Sequence, residues 1–119
     1  MTRQTTLLRL ADFRQKPSPG TVYFDRRELN ELLALYSRHV IRGIWRDYAI
    51  DHRDGFALFS VFRNSHEGAA YCIMKSAGGN RQSADFEVFA GREKLAAART
   101  LAEALAVFRK KPWLVSARS

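Results

Sequence analysis

The sequence predicts an α+β domain: an antiparallel meander sheet of four or five strands, flanked by an N-terminal and a C-terminal helix. Three observations predict it. Asp25 and Glu28 stand at capping-box spacing ahead of an apolar stripe of period 3.6. Four short apolar runs follow, separated by turn residues such as Asp54-Gly55. A second box, Thr100 to Glu103, precedes a last apolar stripe. Connections this short join antiparallel neighbours, because a parallel pair needs a long crossover.

The chain divides into a loosely ordered basic arm (1–20), one folded body (21–115) and a short tail (116–119). The arm ends in Lys16-Pro17-Ser18-Pro19-Gly20, a cluster that breaks preceding structure. The first helix is expected over 26–42. Asp25 is its N-cap, and Phe24 and Leu29 form a hydrophobic staple. Leu29, Leu32, Leu33, Tyr36 and Val40 make its apolar stripe, and Gly43 is its stop.

Strands are expected over 45–51, 56–63, 69–76 and 84–90. The turns between them are Asp54-Gly55, the run from Asn64 to Gly68, and Ala77-Gly78-Gly79-Asn80. Residues 92–98 read as a short fifth strand, an irregular segment or an early turn of helix. A helix over 100–110 then ends at Lys110, Lys111 and Pro112, where basic charge suits the dipole and proline cannot continue.

The first two strands are apolar on both faces. One face carries Tyr48, Ile50, Ala57, Phe59 and Val61. The other carries Trp45, Ala49, Phe56, Leu58 and Phe62. With both helices packed on one face, the simplest assembly, the opposite face needs other cover. Trp45, Leu58, Phe62, Tyr71 and Ile73 are expected there as an interaction face. Its cover would be the arm, a ligand, a protein partner or a second copy in a homodimer.

At 119 residues the chain suits one domain with a core of its own. A single cysteine, Cys72, excludes an intramolecular disulfide and fits a reducing cytoplasm. Arg9 and Asp12 interrupt the N-terminal leucines, so no signal peptide is expected. No apolar run reaches membrane-spanning length, so no membrane partner is expected. The net charge is +8, and it sits at the ends. The arm holds Arg3, Arg9, Arg14 and Lys16 against Asp12 alone. The C-terminal end holds Arg109, Lys110, Lys111 and Arg118 with no acid.

The densest polar cluster is Asp47, Asp51, His52 and Asp54. Strand alternation sends Asp47 and Asp51 to one face and His52 to the other, so the group does not converge. His39, late in the first helix, suits the dipole as a cation. Three scattered histidines lack metal-ligand spacing, and Gly78-Gly79-Asn80 lacks the features of a phosphate loop. The expectation is no catalytic residue, no cofactor, no metal and no enzyme.

The run Phe24-x-Arg26-x-Glu28-Leu29-x-x-Leu32-Leu33-x-Leu35-Tyr36, with Trp45-Arg46-Asp47-Tyr48-Ala49-Ile50-Asp51 and Phe59-Ser60-Val61-Phe62-Arg63, resembles an uncharacterised alphaproteobacterial family. It is known only as a domain of unknown function, number 2794. The resemblance covers roughly 22–115 and is most specific at 45–51. Residues 84–99 depart from the glycine-rich end of the family pattern. The resemblance implies a bacterial cytoplasmic protein and brings no activity and no site residues.

Two functional expectations remain. The first is a small interaction module, self-associating or binding a protein partner through the apolar sheet face. The second is a DNA- or RNA-associated accessory protein. It would stack bases on sheet-face aromatics and contact phosphate through Arg46, Arg63, Lys75, Arg109, Lys110 and Lys111.

Overall fold

Helix α1 (Arg26–Ile41) begins where its cap predicts. The Asp25 carboxylate accepts the Glu28 N–H at 2.8 Å, and the Glu28 carboxylate accepts the Asp25 N–H at 2.8 Å. Two of the helix's orphan donors are thereby satisfied. Its far end is a Schellman turn. Gly43 N–H donates to Val40 O at 2.9 Å, and Ile44 N–H donates to His39 O at 2.8 Å. Gly43 takes a φ of +78°, where a side chain would be strained. The computed structural model describes residues 19–64, 66–77 and 85–116. Most of the arm, the tail beyond Ser116 and the glycine turn at 78–80 lie outside them.

Five strands follow: β1 (Asp47–Arg53), β2 (Phe56–Phe62), β3 (Tyr71–Ser76), β4 (Phe86–Ala90) and β5 (Glu93–Ala98). They form one antiparallel sheet in the order β1-β2-β3-β4-β5, a plain meander. Residues 92–98 thus resolve as a strand from Glu93. A register shift between Val88 and Phe89 marks a bulge where β4 meets it. The first hairpin closes over Asp54-Gly55, and only Gly55, at φ +92°, needs a left-handed backbone. Gly20 to Val22 add to the same corner: Gly55 N–H donates to Gly20 O, and Val22 N–H to Arg53 O.

The C-terminal helix is two short pieces, α2 (Leu101–Leu105) and α3 (Val107–Lys110). Thr100 caps α2 by accepting the Glu103 N–H at 3.2 Å. The join is a tightening, not a break. Ala106 N–H is shared between Ala102 O and Glu103 O, a three-residue bond beside a four-residue one. A 3₁₀ turn, Pro112–Val115, finishes the described fold.

Both helical ends cover one face of the sheet. Leu32 and Leu35 of α1 meet Phe59, Val61, Ile73 and Val88 of the strands and Leu101, Ala104 and Phe108 of the C-terminal pieces in a single cluster. Full burial of each large side chain contributes roughly 1.5–3 kcal/mol. A tertiary tie fixes the start of α1: Lys75 on β3 donates to Tyr23 O and to the Glu28 carboxylate, each at 2.8 Å.

The register corrects one expectation. Tyr71 pairs with Val61 and Ile73 with Phe59. Directly paired residues share a face, so Tyr71 and Ile73 point into the core. Trp45 also leaves the expected face. It precedes β1, in the connection that leaves the Schellman turn, and its N–H approaches His39 O. Strand alternation therefore does not reach it. All three side chains are buried: Tyr71 is 4%, Ile73 0% and Trp45 1% exposed.

Candidate functional site

Two surfaces remain among the described residues once the core is assigned. The first is the face of the sheet that no described helix covers. Its alternate positions carry Leu58 and Phe62 of β2, Cys72 and Met74 of β3, and Phe89 of β4. Each of them is half-buried. Leu58 pairs directly with Met74, and Cys72 with Phe89. None of these apolar side chains joins the core cluster. Of the five residues expected on this face, Leu58 and Phe62 are there. Met74 and Phe89 replace the other three. Strand alternation could have found them, had the β2–β3 register been known.

Charge frames the face. Asp47 and Asp51 stand on β1, with Asp51 bound to Arg53 at 3.3 Å. On the other side Glu87 is bound to Lys94 at 2.8 Å. The acids are mostly neutralised within the chain, so the centre of the face is apolar and its margin mixed. His52 lies on the opposite face, its ring tilted against Tyr23 at 4.9 Å between ring centroids. The four-residue polar cluster does not converge, as alternation predicts. Among the described residues, no three His, Cys, Asp or Glu side chains gather as metal ligands. Among the described residues, no helix is long and apolar enough to cross a membrane.

The second surface is a groove of about 680 Å³ between α1 and the C-terminal pieces. Glu31, Arg38 and Arg42 line it from α1. Arg109 lines it from α3, with Leu105, Phe108 and Val115 as apolar lining. Sequence reading missed this groove, because its walls are 60 or more residues apart in the chain. The only local signal was the i, i+4 pair Arg38 and Arg42 on one helix face.

An aromatic cluster lies beside the groove. Trp45 contacts His39 (4.6 Å between centroids), Phe108 (5.8 Å) and Tyr71 (6.2 Å). The Tyr71 hydroxyl donates to Leu114 O at 2.6 Å and ties the 3₁₀ turn to the sheet. Burial pushes the Tyr71 hydroxyl pKa up, and neighbouring Arg63 partly offsets it. The Trp45 indole N–H has no hydrogen-bond acceptor among the described residues.

His39 differs from its expected role as a helix-end cation. It is 5% exposed, and its Nδ1–H donates to Leu35 O at 2.8 Å. Burial lowers its pKa below the ordinary histidine value, and the nearby Arg38 and Arg42 charges lower it further. The Leu35 hydrogen bond opposes them. His39 is therefore a neutral packing residue at pH 7.

The expected phosphate contacts separate. Lys75 is committed to Tyr23 and Glu28. Arg63 reaches the Tyr71 hydroxyl at 3.4 Å and lies over that ring. Arg46 is exposed near the start of β1. Arg109, Lys110 and Lys111 are exposed together at the end of α3. Trp45 and Tyr71 are too enclosed to offer a ring face to a base.

A family model described as Protein of unknown function (DUF2794) matches residues 22–96, more than half of the chain. The chain belongs to this family. The match holds α1 and most of the sheet and ends within β5, short of the 115 that the resemblance suggested. Comparisons with curated proteins and with solved structures find no match.

Proposed function

We propose that this family member is a small protein-interaction module that associates with itself through the face of its sheet opposite α1 and the C-terminal pieces. One observation carries the reading: Leu58, Phe62, Met74 and Phe89 lie on one face of three neighbouring strands, outside the core cluster. A contiguous apolar patch of this kind more often marks a protein contact than a solvated surface. Phe62 and Leu58 supply bulk, and Met74 adapts to an irregular partner surface. The module acts by binding, in the reducing compartment that a lone cysteine suits.

Nucleic-acid association is the second reading. Its support is narrower: the exposed run Arg109, Lys110 and Lys111, which would contact phosphate without reading sequence.

Sedimentation tests the first reading. The wild type should associate with rising concentration, and Phe62→Asp should stay monomeric with its thermal midpoint unchanged. Apolar association should also persist at high salt, where phosphate binding fails. A wild type that stays monomeric at near-millimolar concentration would overturn self-association. Retardation of DNA or RNA by that monomer at low salt would favour the second reading.

A further inference from the structure

The groove between α1 and the C-terminal pieces is a separate matter from the sheet face. We propose that it is a binding site for a small amphipathic carboxylate, an aliphatic or aromatic body with one anionic head.

Size comes first. About 680 Å³ falls within the ~300–1,000 Å³ typical of small-molecule sites. The lining has the right two characters. Leu35, Leu105, Phe108 and Val115 offer an apolar wall for the body. Arg38 and Arg42 from one side and Arg109 from the other offer guanidinium groups for the head. Two walls of unlike origin supply the same charge.

Charge then selects the ligand. None of the three arginines forms an ion pair among the described residues. The one carboxylate in the lining is Glu31. It stands seven residues before Arg38, roughly 10 Å along the helix at 1.5 Å per residue. Along α1 the lining is therefore acidic toward the start of the helix and basic toward its end. An anion at the basic end meets the forked donors that suit a carboxylate.

A bare anion does not fit as well, since most of the lining residues are apolar. A neutral apolar molecule does not fit as well either, since it would make no charged hydrogen bond to the three exposed guanidinium groups.

Dodecanoate is the probe, titrated into the full chain by calorimetry, with two-dimensional amide spectra to place it. It should bind saturably and shift Leu105, Phe108 and Val115. Dodecanol should bind about 10-fold more weakly or worse, as should Arg38→Ala and Arg109→Ala, by the loss of a charged hydrogen bond. Phe62→Asp, on the other side of the sheet, should bind normally, so this site and the proposed self-association fail separately. Equal binding of dodecanol and dodecanoate would overturn the proposal. So would inorganic phosphate displacing dodecanoate at equal concentration. An acidic amphipathic peptide that occupies the groove while dodecanoate does not would also overturn it and assign the groove to a protein partner.

Discussion

The two faces of the sheet use the same strands and carry similar amounts of apolar side chain, yet they are different materials. On the helix side Phe59, Val61, Ile73 and Val88 are all 0% exposed. Their immediate sequence neighbours Leu58, Phe62, Met74 and Phe89 point the other way and are half-buried. Composition does not separate the two sets. What separates them is which one receives α1 and the C-terminal pieces. Hydrophobicity says that a face needs cover; it does not say which cover arrives.

The largest test of that contrast is a pair of substitutions on opposite faces. Phe59→Ala should cost about 3–5 kcal/mol in urea unfolding, through lost transfer energy and a cavity. Met74→Gln should stay within about 0.5 kcal/mol, as surface changes do. A Met74→Gln loss comparable to that of Phe59→Ala would mean that the second face is also packed within one chain.

A smaller effect tests how Trp45 reaches the helix side. Gly43 holds the positive φ of the Schellman turn that turns the chain there. Gly43→Ala should cost roughly 1–2 kcal/mol, the penalty for a Cβ in the left-handed region. Nothing lies within 4 Å of where that Cβ would sit, so the cost is backbone conformation alone. Circular dichroism on thermal unfolding reads it. An unchanged midpoint would show that the turn is not under this constraint.

The smallest expected effect is a pH dependence confined to the helix side. Burial lowers the pKa of His39 in the folded state, and in the unfolded chain it is about 6.5. The unfolded state therefore binds more protons below that pH. The stability linked to neutral His39 is complete above the unfolded pKa and is lost as pH falls toward the lower folded value. Urea midpoints at pH 7.5 and 5.5 should differ in the wild type and converge in His39→Gln. A wild type more stable at pH 5.5 would reverse the assignment.

Local features were legible wherever neighbours in sequence were neighbours in space. The capping box at Asp25 and Glu28, the stop at Gly43 and the Asp54-Gly55 hairpin each need only a few consecutive residues. The opposite faces of β1 and β2 also followed, for Tyr48 through Phe62, because a two-residue turn leaves their register little freedom. The connection from Arg63 to Ala70 is longer, and a one-residue slip there exchanges the faces of β3. Tyr71 and Ile73 were misplaced for that reason, and Met74 was missed with them. Trp45 was misplaced because a strand period was extended into a helix-ending turn. The bend at Ala106 depends on a shared hydrogen bond that composition does not announce.

By itself the sequence determined the type and order of the elements, the antiparallel meander and the helix that starts at Asp25. These rest on capping, periodicity and short turns, all local in range. Tertiary structure alone decided which apolar residues became core and which stayed at the surface. It also decided that Lys75 would anchor α1, that His39 would be neutral, and that Arg38, Arg42 and Arg109 would share one groove. Each of those outcomes depends on register or on two elements meeting across the fold, and the free energy of such a contact belongs to the pair of surfaces and to neither segment on its own.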